Sequence, residues 1–251
     1  MKTFSFFTMK GGCGKTSLTI LLAAYLRYHK GKTVKVIDFE APKFPINHFR
    51  EADLDAAMKD GTPLHNFLLN HSMPEAFPID CSGQAINTIT SEQILSYANS
   101  INEEIRKDLY EYLLMDFPAG FSKNTIVSCL VANGLLDAVY IPTSTESQER
   151  LDSYMLGMHF LKEKQRFKIV WNRIKKKYIE DPSKIDLLEK ELAGYGLSCA
   201  KPRIKDFNKA TEDSNVQCFV RNTLCWPDRY VEMYCPELVD LFEDVISFLG
   251  E

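Results

Sequence analysis

A glycine- and lysine-rich string near the start of the chain has the residue types that bind phosphate. Residues 9–17 read MKGGCGKTS and lead directly into an apolar segment of helical period. Glycines let successive backbone N–H groups converge on phosphate oxygens, and the N-terminus of a following helix adds the positive end of its dipole. Lys15 can reach the β and γ phosphates of a nucleotide, and the Thr16 hydroxyl can ligate Mg²⁺. The predicted phosphate contacts are Gly11, Gly12, Cys13, Gly14, Lys15, Thr16 and Ser17.

Two acidic residues follow the next apolar run, where residues 36–42 read VIDFEAP. Asp38 and Glu40 lie there at the predicted end of a strand. Carboxylates at the C-terminal edge of a parallel strand face the crevice in which α/β proteins bind ligands. From that position they can hold Mg²⁺ through water or orient an attacking water molecule. We therefore expect both side chains to take part in chemistry at the phosphate.

Short β-rich runs alternate along the chain with segments of helical period. The sequence predicts strands at residues 3–8, 33–38, 112–116, 138–143 and 167–172. It predicts helices at residues 15–29, 90–109, 147–164, 183–193 and 236–249, and a capping box joins residues 90 and 93. Strands separated by helices imply an α/β fold, with a mainly parallel sheet, helices on both faces and right-handed crossovers. Residues 41–89 are expected to form loops and short helices.

Length, composition and charge limit the possible partners and compartments. The chain has 251 residues, of which 45% are hydrophobic, and a net charge of −4. This size allows one sizeable core, and no linker is visible, so a single domain over residues 1–251 is expected. An acidic chain has no overall attraction to nucleic acid or anionic lipid, so such binding needs a local patch. No apolar stretch approaches the roughly 20 residues that span a bilayer, and cysteines without a CxxC pair favour a cytoplasmic protein.

The phosphate string differs from the ordinary loop, GxxxxGK[ST], which would need glycine at Met9 and has no use for a lysine at position 10. Residues 10–16 instead resemble the deviant Walker A motif, KGGxxK[ST], of the ParA/MinD family of ATPases, and they match it at every fixed position. The resemblance implies a P-loop NTPase of the SIMIBI type, with ATP and Mg²⁺ as cofactors. It also implies that Lys10 crosses to the phosphates of a partner protomer in an ATP sandwich homodimer.

Three later segments resemble further motifs of this family. Residues 113–120, LLMDFPAG, resemble its Walker B strand and turn, which implies that Asp116 takes Mg²⁺ through water. The predicted metal set is then Thr16, Asp38 and Asp116. Residues 170–173, VWNR, resemble the strand whose asparagine, here Asn172, reads the adenine edge. Residues 200–204 match the family's final strand and adenine-side loop more loosely and imply a contact from Pro202.

The second motif departs from the family pattern at Glu40, which stands where the family usually has the aspartate tied to hydrolysis. An extra methylene moves a carboxylate by about an ångström, and catalytic geometry is sensitive at that scale. We therefore expect slow, partner-stimulated ATP hydrolysis. The predicted catalytic set is Lys10, Lys15, Asp38 and Glu40.

Basic residues gather in two late segments, around residues 168–177 and 201–209. The predicted DNA contacts are Arg173, Lys175, Lys176, Lys177, Arg203 and Lys205. The resemblance implies salt-sensitive, nonspecific DNA binding through such residues after ATP-dependent dimerisation, and a ParB-like activating partner. A solvated basic face without DNA is the alternative, since the chain is acidic overall. The last predicted helix has an acidic polar face, which argues against membrane binding.

These expectations describe a ParA-like ATPase that positions or partitions DNA of a plasmid, mobile element or chromosome. Two alternatives stay open. One is a small-molecule ATP-dependent ligase of the dethiobiotin-synthetase type, which uses a similar loop on a carboxylate. The other is a MinD-like positioning ATPase.

Overall fold

The computed structural model describes residues 1–39, 51–62, 79–80, 92, 96, 98–99, 102–103, 109–119, 130–131, 134–206 and 236–250. Strands and helices alternate along most of this part of the chain. The strands are β1 (Lys2–Phe6), β2 (Val34–Asp38), β3 (Ile79–Asp80), β4 (Tyr112–Asp116), β5 (Ala138–Thr143), β6 (Phe167–Ile174) and β7 (Cys199–Lys205). The helices are α1 (Lys15–Tyr28), α2 (Glu51–Asp60), α3 (Ser147–Lys162), α4 (Lys176–Ile179), α5 (Ser183–Gly194) and α6 (Pro236–Leu249).

In the described part of the chain, seven strands form one sheet in the order β3-β2-β4-β1-β5-β6-β7. Each neighbouring pair runs parallel. All the strands therefore end at the same edge of the sheet. β2 and β4 are in register through their last residues, where Asp38 lies opposite Asp116. The predicted parallel α/β sheet is confirmed.

Helices cover both faces of the sheet, because the buried strands carry apolar side chains on both sides. In β4, Tyr112 and Leu114 belong to the core cluster that includes α1 and α6. Leu113 and Met115 belong to the opposite cluster, which includes residues of α3 and α5. Successive side chains of a strand point to opposite faces, so this near-continuous apolar run supplies two cores at once.

The structure adds short elements that apolar periodicity did not reveal. α2 and β3 lie in the irregular stretch 41–89, of which the structure describes only residues 51–62 and 79–80. The four-residue helix α4 begins inside the lysine-rich stretch after β6. The capping box at residues 90 and 93 lies outside the described residues, as does most of the helix predicted over 90–109.

The amphipathic helix α6 has its apolar face packed into the first core, where Leu241, Phe242 and Val245 are almost fully buried. Its acidic side is also engaged, since the Asp244 carboxylate accepts a 2.5 Å hydrogen bond from the Tyr140 hydroxyl and pairs with Lys168 at 2.9 Å. The apolar face of this helix is therefore buried in the protein's own core. No helix in the described part of the chain has the length and apolar character needed to cross a membrane.

Candidate nucleotide site

The phosphate loop occupies the turn between β1 and α1, with glycines at the positions that need unusual backbone angles. Gly12 and Gly14 have φ values of 77° and 85°, in the left-handed region that other residues adopt at a cost. Gly14 is the N-cap of α1, and no side chain caps this helix end. The first N–H groups of α1 therefore point towards the position that a phosphate would take.

The end of β4 contacts the start of α1 through a short hydrogen bond. The Thr16 hydroxyl donates to Asp116 Oδ2 at 2.6 Å. Asp38 and Asp116 lie opposite each other on β2 and β4, and both are fully buried. Lys15 is only 6% exposed. Two buried carboxylates with a lysine and a hydroxyl at one sheet edge are costly for stability alone, and such groups gather where chemistry is done.

This donor set suits magnesium. A hydroxyl and two carboxylates are hard oxygen ligands, and Mg²⁺ in nucleotide sites keeps several waters and needs few protein ligands. In the described residues, no group of three or more His, Cys, Asp or Glu side chains forms a denser metal site. The residues that would hold Mg²⁺ are therefore Thr16, Asp116 and Asp38.

Two residues at the end of β6 brace the phosphate loop from the side. Asn172 is buried and its Nδ2 donates to the Cys13 carbonyl at 2.8 Å. A Cβ added to Gly14 would lie 2.8 Å from the same nitrogen, so Gly14 also makes room for this contact. Arg173 has a left-handed φ of 57°, and its Nη1 donates to the Gly12 carbonyl at 2.6 Å. Backbone strain of this kind is characteristic of functional sites.

Arg173 contacts the phosphate loop, and its predicted role towards DNA stays a prediction. The sequence predicts Arg173 as a DNA contact, but the structure directs its guanidinium at the phosphate loop, 161 residues away in the chain. The described contacts of Asn172 likewise involve loop backbone, and its predicted role towards adenine stays a prediction. Nothing in the local sequence distinguishes these contacts, because they depend on β6 lying two strands from β1.

Lys10 reaches across the loop to α3. Its Nζ lies 2.9 Å from Glu149 Oε1, and the lysine side chain is 48% exposed whereas that of Glu149 is 8% exposed. The hydrogen bond with Glu149 raises the pKa of Lys10. Burial alone would raise the pKa of Glu149, but hydrogen bonds from Ser144 and Lys10 outweigh it and hold that pKa below its usual value. Glu149 is a site residue that the sequence analysis missed.

Cys13 is buried in the loop, and burial raises the pKa of its thiol. Its backbone carbonyl, which accepts from Asn172, is the part of the residue that contributes to the loop geometry. Glu40, the expected partner of Asp38, lies outside the described residues. Pro202 is half-buried in β7. It precedes Arg203, which lies opposite Trp171 of β6.

The predicted DNA contacts are extensively paired with acids. Arg203 forms ion pairs with Asp186 and Glu189 of α5, at 2.6 and 2.8 Å. These two pairs hold its guanidinium against α5. The lysines are also engaged: Lys175 pairs with Glu146, Lys176 with Glu180 at 3.5 Å, and Lys205 with Glu237 at 3.3 Å, while Lys177 lies over the Tyr178 ring. The sequence run 168–177 contains no acid, but neighbouring elements supply them.

Comparison with known proteins identifies one curated relative with a stated activity. No family model matches the chain. The chromosome-partitioning ATPase Soj of Treponema pallidum (strain Nichols) is 29% identical over 161 residues, which are 58% of this chain and 58% of the relative. The match thus spans little more than half the length of either protein.

Solved structures share the fold over nearly the whole chain. The MinD cell division protein of Aquifex aeolicus has a TM-score of 0.66 at 16% identity and covers 98% of both chains. MinD of Pyrococcus horikoshii complexed with Mg-ADP has a TM-score of 0.60 at 16% identity, over 99% of this chain and 97% of that one. The pNOB8 ParA bound to nonspecific DNA has a TM-score of 0.60 at 15% identity, over 99% and 98%. The Soj match and this shared fold confirm the resemblance that the motifs indicate, to the ParA/MinD family of deviant Walker A ATPases.

Proposed function

We propose that the chain is a single-domain, ParA-like ATPase that binds Mg-ATP, dimerises around it and positions DNA until hydrolysis releases the dimer. The hydrolysis is slow and is stimulated by a ParB-like partner. The observation that carries this proposal is the convergence of Lys15, the Thr16–Asp116 bond and Asp38 at one buried sheet edge. The Soj relative and the neighbour solved with Mg-ADP support it.

Each residue of this edge has a task in phosphoryl transfer to water. Lys15 and the N-terminus of α1 offset the charge of the β and γ phosphates. Thr16, Asp116 and Asp38 would hold Mg²⁺, which when bound neutralises charge that develops on the phosphates. Asp38 and Glu40 orient the attacking water. Asn172 and Arg173 fix the carbonyls of the loop, so that its N–H groups stay aimed at the nucleotide.

Lys10 supplies the link between two protomers. Its backbone is held by Thr8, whose hydroxyl accepts from the Lys10 N–H at 3.0 Å, while its side chain is half exposed. An ammonium group on a flexible stem at the rim of the loop can reach phosphates presented by a second copy. The dimer therefore depends on ATP in both protomers.

DNA attraction comes from a smaller surface than the sequence suggests. Arg173 and Arg203 are committed to contacts within the fold, which leaves the 175–177 segment, composed of Lys175, Lys176 and Lys177, as the main candidate. Its lysines are exposed, and exposed ion pairs such as Lys176–Glu180 are weak enough to exchange for DNA phosphates. The pNOB8 ParA bound to nonspecific DNA supports this assignment.

Light scattering with Mg²⁺ and a hydrolysis-resistant ATP analogue tests the proposal. We expect the wild type to double in mass, Lys15→Ala to lose nucleotide binding, and Lys10→Ala to bind nucleotide but stay monomeric. Lys162→Ala, at the exposed end of α3, is the matched lysine control and should dimerise normally. A wild type that binds ATP yet stays monomeric at saturation contradicts the proposal and favours the ligase alternative.

A further inference from the structure

The ion pair between Lys10 and Glu149 joins the phosphate loop to the first turn of α3, across 139 residues of sequence. We propose that Glu149 is a positioning residue that holds Lys10 within its own protomer until the nucleotide phosphates of a second protomer compete for it. The inference rests on the proposed ATP-dependent dimer. It assigns to Glu149 the setting of the ATP threshold at which that dimer forms.

The main chain on both sides of the pair is fixed. Thr8 accepts a hydrogen bond from the Lys10 N–H at 3.0 Å, and Thr143 donates its hydroxyl to the Glu149 carbonyl at 3.3 Å. β1 and β5 are parallel neighbours, so the segments after them leave the sheet at the same edge. The pair can therefore open by rotation of the Lys10 side chain, with no movement of the backbone.

The two members of the pair differ in freedom. Lys10 is 48% exposed and can swing into solvent, whereas Glu149 is 8% exposed and stays where α3 holds it. When Lys10 leaves, the Glu149 carboxylate keeps the hydrogen bond from Ser144, the nearby charge of Arg173 and the positive end of the α3 dipole. This remaining compensation lowers the cost of leaving Glu149 without Lys10, so the pair weakens the dimer without preventing its formation.

Competition for Lys10 depends on the charge of the competitor. Glu149 offers one carboxylate charge, whereas the end of a nucleoside triphosphate offers more negative charge and several oxygens to one ammonium group. A diphosphate lacks the terminal group and competes less well. The pair therefore weakens association with either partner by the same factor, and the ATP-bound partner, which attracts Lys10 more strongly, is the one that can still release it.

The test measures the dimer dissociation constant by sedimentation with Mg²⁺ and a hydrolysis-resistant ATP analogue. Glu149→Gln keeps the shape of the side chain and removes its charge. Each dimer contains two protomers, so two Lys10–Glu149 pairs are broken when it forms. We expect a dissociation constant about tenfold lower than in the wild type, as two weak ion pairs would give together. In the Lys10→Ala background, which stays monomeric, Glu149→Gln should restore no dimer, because the group it releases is absent. A merely structural effect of Glu149 on association would strengthen the dimer in that background as well.

The sedimentation test of Glu149→Gln includes a matched control and a second variant of Glu149. Glu146→Gln breaks the neighbouring pair with Lys175 and should leave the dissociation constant unchanged. Glu149→Asp keeps the charge but withdraws it from Lys10, and should give an intermediate gain even if Glu149→Gln folds poorly. An unchanged or weaker dimer in both Glu149 variants overturns the positioning role and leaves the proposed function intact. If neither wild type nor variants dimerise, the proposed function and this inference fail together.

Discussion

Replacement of Gly14 by alanine should destabilise the protein and its phosphate loop through two separable effects. The first is the backbone, since a φ of 85° costs a non-glycine residue about 1–2 kcal/mol, partly offset by lower entropy of the unfolded chain. The second is steric, because the added Cβ would lie 2.8 Å from Asn172 Nδ2. Asn172 must then move and give up its 2.8 Å hydrogen bond to the Cys13 carbonyl.

Gly12 provides the matched control. Its φ of 77° carries a similar backbone cost, but among the described residues no atom lies within 4 Å of an added Cβ. Loss of the Asn172 contact leaves a buried amide without its acceptor, which costs about 1–3 kcal/mol. We therefore expect Gly14→Ala to be less stable than Gly12→Ala by about 2 kcal/mol, or roughly 4–8 °C in Tm for a chain of this size.

Urea unfolding without nucleotide measures the difference in stability between Gly14→Ala and Gly12→Ala. The Asn172→Ala variant completes a double-mutant cycle with Gly14→Ala. If the clash with Asn172 is the cause, Gly14→Ala costs about 2 kcal/mol less in the Asn172→Ala background than in the wild type. Equal stabilities of Gly12→Ala and Gly14→Ala, or strict additivity with Asn172→Ala, would refute this account of the loop. Affinity for Mg-ATP should fall further in Gly14→Ala than in Gly12→Ala, because the Asn172 contact holds the loop carbonyls in place.

Two further outcomes are expected from the catalytic and basic residues. Glu40→Asp should raise the steady-state rate of ATP hydrolysis, since it restores the family's shorter side chain; a tenfold fall, about 1.4 kcal/mol in barrier, would show that Glu40 suits its own site. Charge reversal of the 175–177 segment should abolish the ATP-dependent DNA binding, which in the wild type should weaken steeply with salt. Reversal of Lys59, Lys162 and Lys190, which lie on α2, α3 and α5, is the charge-matched control, and equal losses in both triple variants would remove the segment's assignment.

Buried strands and the loop between them were predictable because their signals are local. The predicted boundaries of β4 and β5 coincide with the observed Tyr112–Asp116 and Ala138–Thr143. Fully apolar runs of this length, bounded by polar residues, have little alternative to a buried strand in an α/β chain. β6 continues two residues past its prediction, to Ile174, because pairing with β7 extends it beyond the apolar run.

The meeting of polar residues at the sheet edge was predictable to the extent that it depends on residue type and on the common end of parallel strands. The sequence therefore indicates Lys15, Thr16, Asp38 and Asp116 as site residues, and the register of β2 with β4 brings the two aspartates opposite each other. Neither the 2.6 Å Thr16–Asp116 bond nor the depth of burial is encoded in the local pattern.

By itself, the sequence determined most of the strand and helix pattern and the glycine positions of the phosphate loop, because each of these depends on neighbours within a few positions. Only the tertiary structure decided the partners of the cationic side chains. Strand order places α3 beside Lys10 and β6 beside Gly12, and it brings acids from other elements to Arg203 and Lys175. Such charge pairs span the whole chain, and no local period records which surfaces will meet.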